Sequence, residues 1–418
     1  MFTTIIIFII ILGVLIFVHE FGHFYAAKKS GMKVEEFGFG FPPRLLGIQV
    51  FDDREIKKIS TTETVTVSET EIDTSRGEVL VEKITDVIEE EKEVRPKKWH
   101  FVWGRANRRG LSPDATIYSI NLIPLGGFVK ILGENNEHEE DPRSFINRPF
   151  WPRFMTLVAG VLMNVVLAWA LISIGLSIGL PAVLGSQADL PKNAVVKNSQ
   201  IVIMEVAKDS PADKAGIKPG DIVLAVDNVL VAKLETVQDY IWSHKGQQFD
   251  FKIKRINEVV DSKINSLAAP GKDQGPTGIA LSNVGQLKFP WYAAMWEGAK
   301  ATVNQLQSIV SGLYQLVTAK IGLASLSGPV KIAQLTGQVA SLGFVYILQF
   351  AAFLSLNLAV LNILPFPALD GGRVLFLVIE KIRGKRNNQK VEQFVNTVGF
   401  VLLLLLMFAV TIKDVKGF

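Results

Sequence analysis

Val18-His19-Glu20-Phe21-Gly22-His23 stands at the end of an apolar run that begins at Phe2. In a helix, residues four apart share a face, so both imidazoles can reach one metal ion. Glu20 projects beside them, placed to take a proton from a water at that ion. The address of the motif is as informative as its composition. Hydrocarbon is a poor solvent for a His-Glu-His cluster, so three polar residues at metal-ligand spacing inside an apolar segment are costly unless they are used. The competing reading, polar residues left near a helix end by chance, leaves that cost unexplained.

Three further segments also approach the ~20 apolar residues needed to cross a bilayer. The four runs are about 2–27, 154–180, 341–364 and 394–412. The chain has 418 residues, 49% of them hydrophobic, and a mean hydropathy of +0.29. That is too long for one ordinary soluble domain and too apolar for a typical soluble protein. The formal net charge is only +4, without a basic stripe interleaved with aromatics, so no nucleic-acid partner is expected. Cysteine is absent, which excludes a disulfide framework, a thiolate metal site and a cysteine nucleophile. The N-terminal run lacks a basic leader and is long for a cleaved signal peptide, and cleavage would behead the motif.

Basic residues in short loops set the expected orientation. Arg373, Lys381, Arg383, Lys385, Arg386 and Lys390 lie between the third and fourth runs. Lys28, Lys29 and Lys33 follow the first, and Arg148 and Arg153 precede the second. These loops are expected on the cytoplasmic side, with both termini and the region between the second and third runs outside. His19 and His23 then face the cytoplasmic side of the bilayer.

The outer region reads as a small α+β domain over residues 199–282. Gln200 to Met204 and Phe249 to Lys254 are strand-like, and Leu234 to His244 is a short helix. In Ser210-Pro211-Ala212-Asp213-Lys214-Ala215-Gly216-Ile217-Lys218-Pro219-Gly220-Asp221, Pro211 starts a helical turn, Gly216 ends it, and Pro219-Gly220 turns the chain into the next strand. The stretch resembles a PDZ domain. Such a domain either adds an extended peptide to a sheet edge or serves as a steric filter. Residues 290–325 read as interfacial amphipathic helices, with Trp291, Tyr292, Trp296 and Tyr314 suited to a membrane surface.

On the other side, residues 29–153 form a cytoplasmic or membrane-associated region. Its charged insert, 52–112, combines the alternating Thr62 to Ser68 with a charge cluster from Glu89 to Lys98, an edge hairpin and a solvated face. Residues 116–134 centre on Pro124-Leu125-Gly126-Gly127 and are too short and interrupted to span. They read as a re-entrant β-hairpin whose edge, at Gly126 and Gly127, can pair with a substrate strand. An amphipathic loop lying on the membrane is the alternative.

A catalytic zinc needs a third protein ligand. His244 lies in the outer domain, and His100 and His138 sit in charged stretches. Asp370 is the leading candidate. It follows Pro365 and Pro367, which break the third span, and precedes Gly371-Gly372, which permit a tight turn; a helix-capping role is its alternative.

His19-Glu20-Phe21-Gly22-His23, together with Asn362 to Gly372, resembles the site-2 protease family of intramembrane zinc metalloproteases. The outer PDZ-like domain, Pro124-Leu125-Gly126-Gly127 and Ser327-Gly328-Pro329-Val330 resemble its bacterial branch that cleaves anti-sigma factors. The resemblance implies Zn2+ held by His19, His23 and Asp370, water activated by Glu20, and a substrate backbone held with help from Asn362. It also implies a single-span membrane protein as substrate, such as an anti-sigma factor or a remnant signal peptide, cleaved in a bacterial inner membrane. The chain departs from the pattern in three places, one of them the charged insert 52–112, which the resemblance does not cover. Gly160-Val161-Leu162-Met163-Asn164 lacks the proline of Gly-Pro-x-x-Asn, and one PDZ-like domain stands where some members carry two. The expected architecture is a polytopic α-helical membrane protein with four transmembrane helices, a re-entrant β-hairpin and an inserted extracytoplasmic PDZ-like domain. A membrane-anchored PDZ adaptor with a non-catalytic metal site is the rival. Retention of Glu20 argues against it, because a structural site needs no general base. A zinc-binding transporter is a weaker rival, since no second intramembrane acidic set accompanies the motif. Oligomeric state is not legible.

Overall fold

A computed structural model describes residues 2–50, 99–103, 115–134, 140–184, 193–230, 233–255, 258–269, 275–318, 320 and 327–416. The chain opens with α1 (Phe2–Lys29), β1 (Val34–Val50), β2 (Trp99–Trp103), β3 (Ile117–Ile131) and α2 (Phe150–Ile178). Then come β4 (Leu180–Leu184), β5 (Val195–Val206), α3 (Pro211–Lys214), β6 (Ile222–Val226), β7 (Val229–Leu230), α4 (Leu234–Ser243), β8 (Gln248–Arg255), β9 (Glu258–Asn265) and β10 (Ile279–Lys288). It closes with α5 (Trp291–Val317), α6 (Pro329–Leu342), α7 (Phe344–Ile363), α8 (Asp370–Arg383) and α9 (Gln389–Lys416). Among the described residues, α1, α2, α7 and α9 are the helices long and apolar enough to cross a membrane. The third apolar run begins later than its composition implies. Gly343, at φ +121, ends α6 and lets α7 start at Phe344.

The contacts divide the chain into two units: Met1–Val165 with Gly322–Gly337 and Asn357–Phe418, and Val166–Ile321 with Gln338–Leu356. In the first, β1 lies between β2 and β3. Leu46 to Val50 pairs with Trp103 to Trp99. The expected self-paired hairpin at 116–134 takes another form. Glu36 to Phe39 lies opposite both Lys130 to Gly127 and Ile117 to Ile120, so the first arm of β1 sits between the two arms of β3. The reversal near Pro124 therefore spreads the arms far enough to admit another strand. Side chains satisfy the carbonyls where the ladder is interrupted: Asn121 Nδ2 donates to Gly40 O (2.9 Å), Thr116 Oγ1 to Val34 O (2.8 Å) and Gln49 Nε2 to Ala115 O (3.0 Å). Aromatic rings seat the sheet on α1, with Phe24 stacked on Phe37 at 4.7 Å and Phe17 5.3 Å from Phe37. A core of Ala27, Met32, Val34, Ile131, Phe145, Leu157 and Leu377 joins the end of α1 to the sheet, α2 and α8. Within the insert 52–112, Trp99–Trp103 is strand β2; the alternation at 62–68, the charge cluster at 89–98 and His138 lie outside the described residues.

The second unit carries a sheet of order β4-β10-β5-β6-β8-β9, with β7 on β6. The expected strands and the short helix α4 are present over the anticipated residues. Ile203, Val223, Phe249, Phe251, Ile253 and Ile264 fill its core with Val237 and Ile241 of α4. Ser210 caps α3, its side chain accepting from the Asp213 N–H, and Pro211 follows at the first helical position. Buried Asp221 takes a two-pronged bond from Arg255, Nε–Oδ1 2.8 Å and Nη2–Oδ2 2.7 Å. Burial pushes its carboxyl up, but Arg255 and the Lys218 N–H outweigh burial and hold it below the usual range. Helix α5 turns Ala294, Gly298 and Thr302 inward and leaves Trp291 (72%) and Trp296 (66%) exposed. Trp169 Nε1 donates to Met295 O at 2.8 Å, which fixes α5 on the C-terminal half of α2.

Candidate active site

Three separate stretches of the first unit supply the site. Helix α1 presents His19 and His23, both buried, on one face. Beyond α7 the chain turns through Phe366, whose N–H donates to Leu364 O (2.7 Å), and Ala368 at φ +71, into α8. Asp370 is the first residue of that helix. Gly371 and Gly372 have no alternative here: a Cβ on the first would overlap the carbonyl oxygens of Ile363 and Leu364, and on the second that of Phe366. The two glycines let the first turn of α8 fold back against the break after α7, and that aims Asp370 at α1.

Asp370 Oδ2 lies 3.0 Å from His19 Nε2 and 3.4 Å from His23 Nε2, and the two imidazole nitrogens are 3.2 Å apart. Four ligands held at ~2.05 Å around a tetrahedral zinc would be separated by about 3.3 Å. The three observed separations therefore outline one face of such a tetrahedron. Among the described residues, this is the group of His, Asp or Glu whose ligand atoms converge, all within 4.8 Å. The outer nitrogens of both imidazoles are engaged. His23 Nδ1 donates to Thr156 O at 2.7 Å, which leaves the Nε2 lone pair facing the cluster. Asn164 Nδ2 lies 3.1 Å from His19 Nδ1; turning the amide over, which leaves its shape unchanged, brings its oxygen to that nitrogen as acceptor for the tautomer whose Nε2 lone pair is free. The converging donors are two imidazoles and a carboxylate, with no sulfur among them, so a borderline metal bound by nitrogen and oxygen fits the set.

Gly160 of α2 makes room for the pair. A Cβ there would overlap His23 Nε2 and come within 2.8 Å of His19 Cε1. Gly160→Ala is expected to push the imidazoles off their positions and weaken zinc binding by at least ~10-fold, the scale of losses on disturbing a ligand's support. A zinc-buffer titration of the purified variant checks this; an unchanged affinity would mean that the helices separate without cost.

The other anticipated residues fall around this cluster. Glu20 is half-buried next to His19, and a Cβ on Gly127 would lie 3.7 Å from Glu20 Cγ. Gly126 lies against Ile16 of α1. The Asn362 amide is 3.2 Å from His19 Nε2. His244 packs at a tilt against Tyr240 (ring centroids 4.4 Å apart) in the second unit, and His100 lies in β2 opposite Gln49. Three participants escape sequence reading. Thr156 acts through a backbone carbonyl, which has no residue signature, whereas Glu134 and Arg373 look like ordinary solvated charges until the fold pairs them.

The arrangement can hold a Lewis-acidic metal ion, and a carboxylate beside it can carry a proton. The model of Peptidase family M50 matches residues 7–59 and 106–406. The chain is similar to the regulator of sigma-W protease RasP of Bacillus subtilis, 30% identical over 99% of this chain and 98% of that one. It is similar, at 30% identity over 99% and 98%, to the zinc metalloprotease RasP of Geobacillus kaustophilus. Among solved structures, the PDZ domain of an SdrC-like protein from Listeria monocytogenes is similar at 25% identity, over 21% of this chain and 92% of that one, with a TM-score of 0.19.

Proposed function

We propose, for a chain that belongs to peptidase family M50, that its reaction is hydrolysis of a peptide bond within or near the transmembrane segment of a single-span protein. It is a multi-pass membrane protein and a zinc-dependent metalloendopeptidase. The observation that carries the finer reading is the convergence of His19, His23 and Asp370 with Glu20 and Gly127 alongside.

In this reading His19 Nε2, His23 Nε2 and an Asp370 oxygen would hold the zinc. When bound, zinc lowers the pKa of a coordinated water and polarises the scissile carbonyl. The Glu20 carboxylate takes the water's proton and later passes it to the leaving amine. The Asn362 amide, beside His19, helps to hold the substrate backbone. A helical substrate hides its carbonyls in its own hydrogen bonds, so it must be unwound before attack. Strand addition at Gly126 and Gly127 supplies replacement backbone partners and holds the segment extended. Asn164 and the Thr156 carbonyl keep both imidazoles turned toward the metal.

Positive loop charge supports a cytoplasmic-side site, with both termini and the PDZ-like domain outside a bacterial inner membrane. The outer domain, by size exclusion or peptide capture, admits substrates whose ectodomain another protease has shortened. Resemblance to a relative named for sigma-W regulation supports an anti-sigma factor as substrate. The adaptor reading loses ground to Glu20, which lies next to the ligand cluster, where a structural metal site needs no base.

The test is to reconstitute the purified protein in bilayer vesicles with a single-span substrate trimmed to a short ectodomain and to map the products by mass spectrometry. The expected result is one cut within or near the span, lost with a chelator and restored by zinc. A substrate left intact, or a cut indifferent to the chelator, would overturn the proposal.

A further inference from the structure

We propose that Glu134 and Arg373 form a positioning lock that registers the strand edge of β3 to the metal-ligand end of α8. The inference rests on the protease reading and assigns a part of its machinery. Glu134 stands in the turn just past β3, and its N–H donates to Ile131 O at 3.3 Å. That turn is held from beneath: Leu132 N–H donates to Lys33 O (2.9 Å), and Phe145 N–H donates to Leu132 O (2.8 Å). Arg373 lies one helical turn after Asp370. Its Nη1 donates to Glu134 Oε1, joining segments 239 residues apart in sequence. Both side chains are partly shielded, and Glu134 raises the Arg373 pKa above its ordinary value as the largest cause.

The rest of α8 is already fixed. Arg153 of α2 grips Glu380 with two bonds, 2.8 and 3.2 Å, and Leu377 lies in the core. Removing the Glu134–Arg373 pair therefore leaves the helix in place. What it frees is the end of β3, the strand whose Gly127 borders Glu20. One element holds a metal ligand, and the other would hold the substrate backbone. Attack needs the carbonyl carbon placed to within a fraction of an ångström, and a 1 Å misplacement costs on the order of 10²-fold in rate. The pair thus sets the distance between the two halves of the reaction without touching either reactant.

The test uses the full-length protein in bilayer vesicles. Glu134→Gln and Arg373→Gln are each expected to lower kcat about 10- to 100-fold. Zinc content should stay at the wild-type level, and KM should change far less than kcat. The double variant should be no slower than the slower single, because both remove one link. Arg373→Lys, which keeps the charge, should retain more activity than Arg373→Gln. Independently of cleavage, hydrogen exchange of the Gly127 to Ile131 amides should accelerate in Glu134→Gln while that of α8 stays unchanged. Multiplicative losses in the double variant, loss of zinc in Glu134→Gln, or unaltered exchange at Gly127 to Ile131 would each overturn the lock. Failure of the wild-type protein to cleave would instead overturn the protease reading, and the exchange measurement would still decide the lock.

Discussion

Glu20→Gln is expected to abolish cleavage while leaving zinc and fold in place. The amide matches the carboxylate in shape, so packing in α1 and against Gly127 is preserved. It cannot accept the proton that must leave the attacking water, nor deliver one to the departing amine. Positioned proton transfer contributes about 10²- to 10⁴-fold. Because Glu20 serves two transfers in sequence, kcat should fall by at least about 10³-fold, with substrate affinity nearly unchanged. Single-turnover cleavage and metal analysis on the same sample separate these effects. Cleavage at the wild-type rate would sink the mechanism as written.

Asp370→Ala carries the second large effect, on the metal. Two imidazoles alone leave zinc with too few protein ligands, and changes to supporting residues one step removed already cost 10- to 100-fold in affinity. Loss of a direct ligand should exceed ~100-fold, so the purified variant should retain far less than one zinc per chain and no activity. The fold should survive, since Arg153–Glu380 and Leu377 hold α8 without Asp370. Asp370→Asn, which keeps an oxygen but loses the charge, should fall between the two. Full zinc occupancy in Asp370→Ala would remove Asp370 as the third ligand.

These residues were legible in the sequence because strong, simple effects place them. Two histidines four apart in a helix share a face whatever surrounds them, and Pro365, Pro367 and the glycine pair force a chain break wherever a helix would otherwise continue. The long apolar runs mark the crossing helices for the same reason: a polar backbone must satisfy itself inside hydrocarbon. The sheet beside α1 was only half legible. Gly126 and Gly127 announce a turn, but β1 carries Phe41-Pro42-Pro43-Arg44 midway, and prolines, which cannot donate to a ladder, argue locally against a strand. The insertion of Glu36 to Phe39 between the arms of β3 depends on long-range pairing that no local pattern encodes. Glu134 and Arg373 were illegible for a related reason. Each is an unremarkable charge until contacts distant in sequence bring them together. The α+β domain of the second unit was the easiest part, because Ser210-Pro211 and the alternating core of β8 follow turn and strand rules locally.

X-ray absorption at the zinc edge of the zinc-loaded protein decides whether the metal site is split between α1 and α8. The chain contains no cysteine, so thiolate ligation cannot confuse the first shell. The predicted spectrum contains two imidazoles and further oxygen scatterers at ~2.0–2.2 Å, and it should not be recoverable in Asp370→Ala. A shell of three imidazoles, or a spectrum that Asp370→Ala leaves unchanged, would contradict the claim and send the search for the third ligand back to His100, His138 and His244.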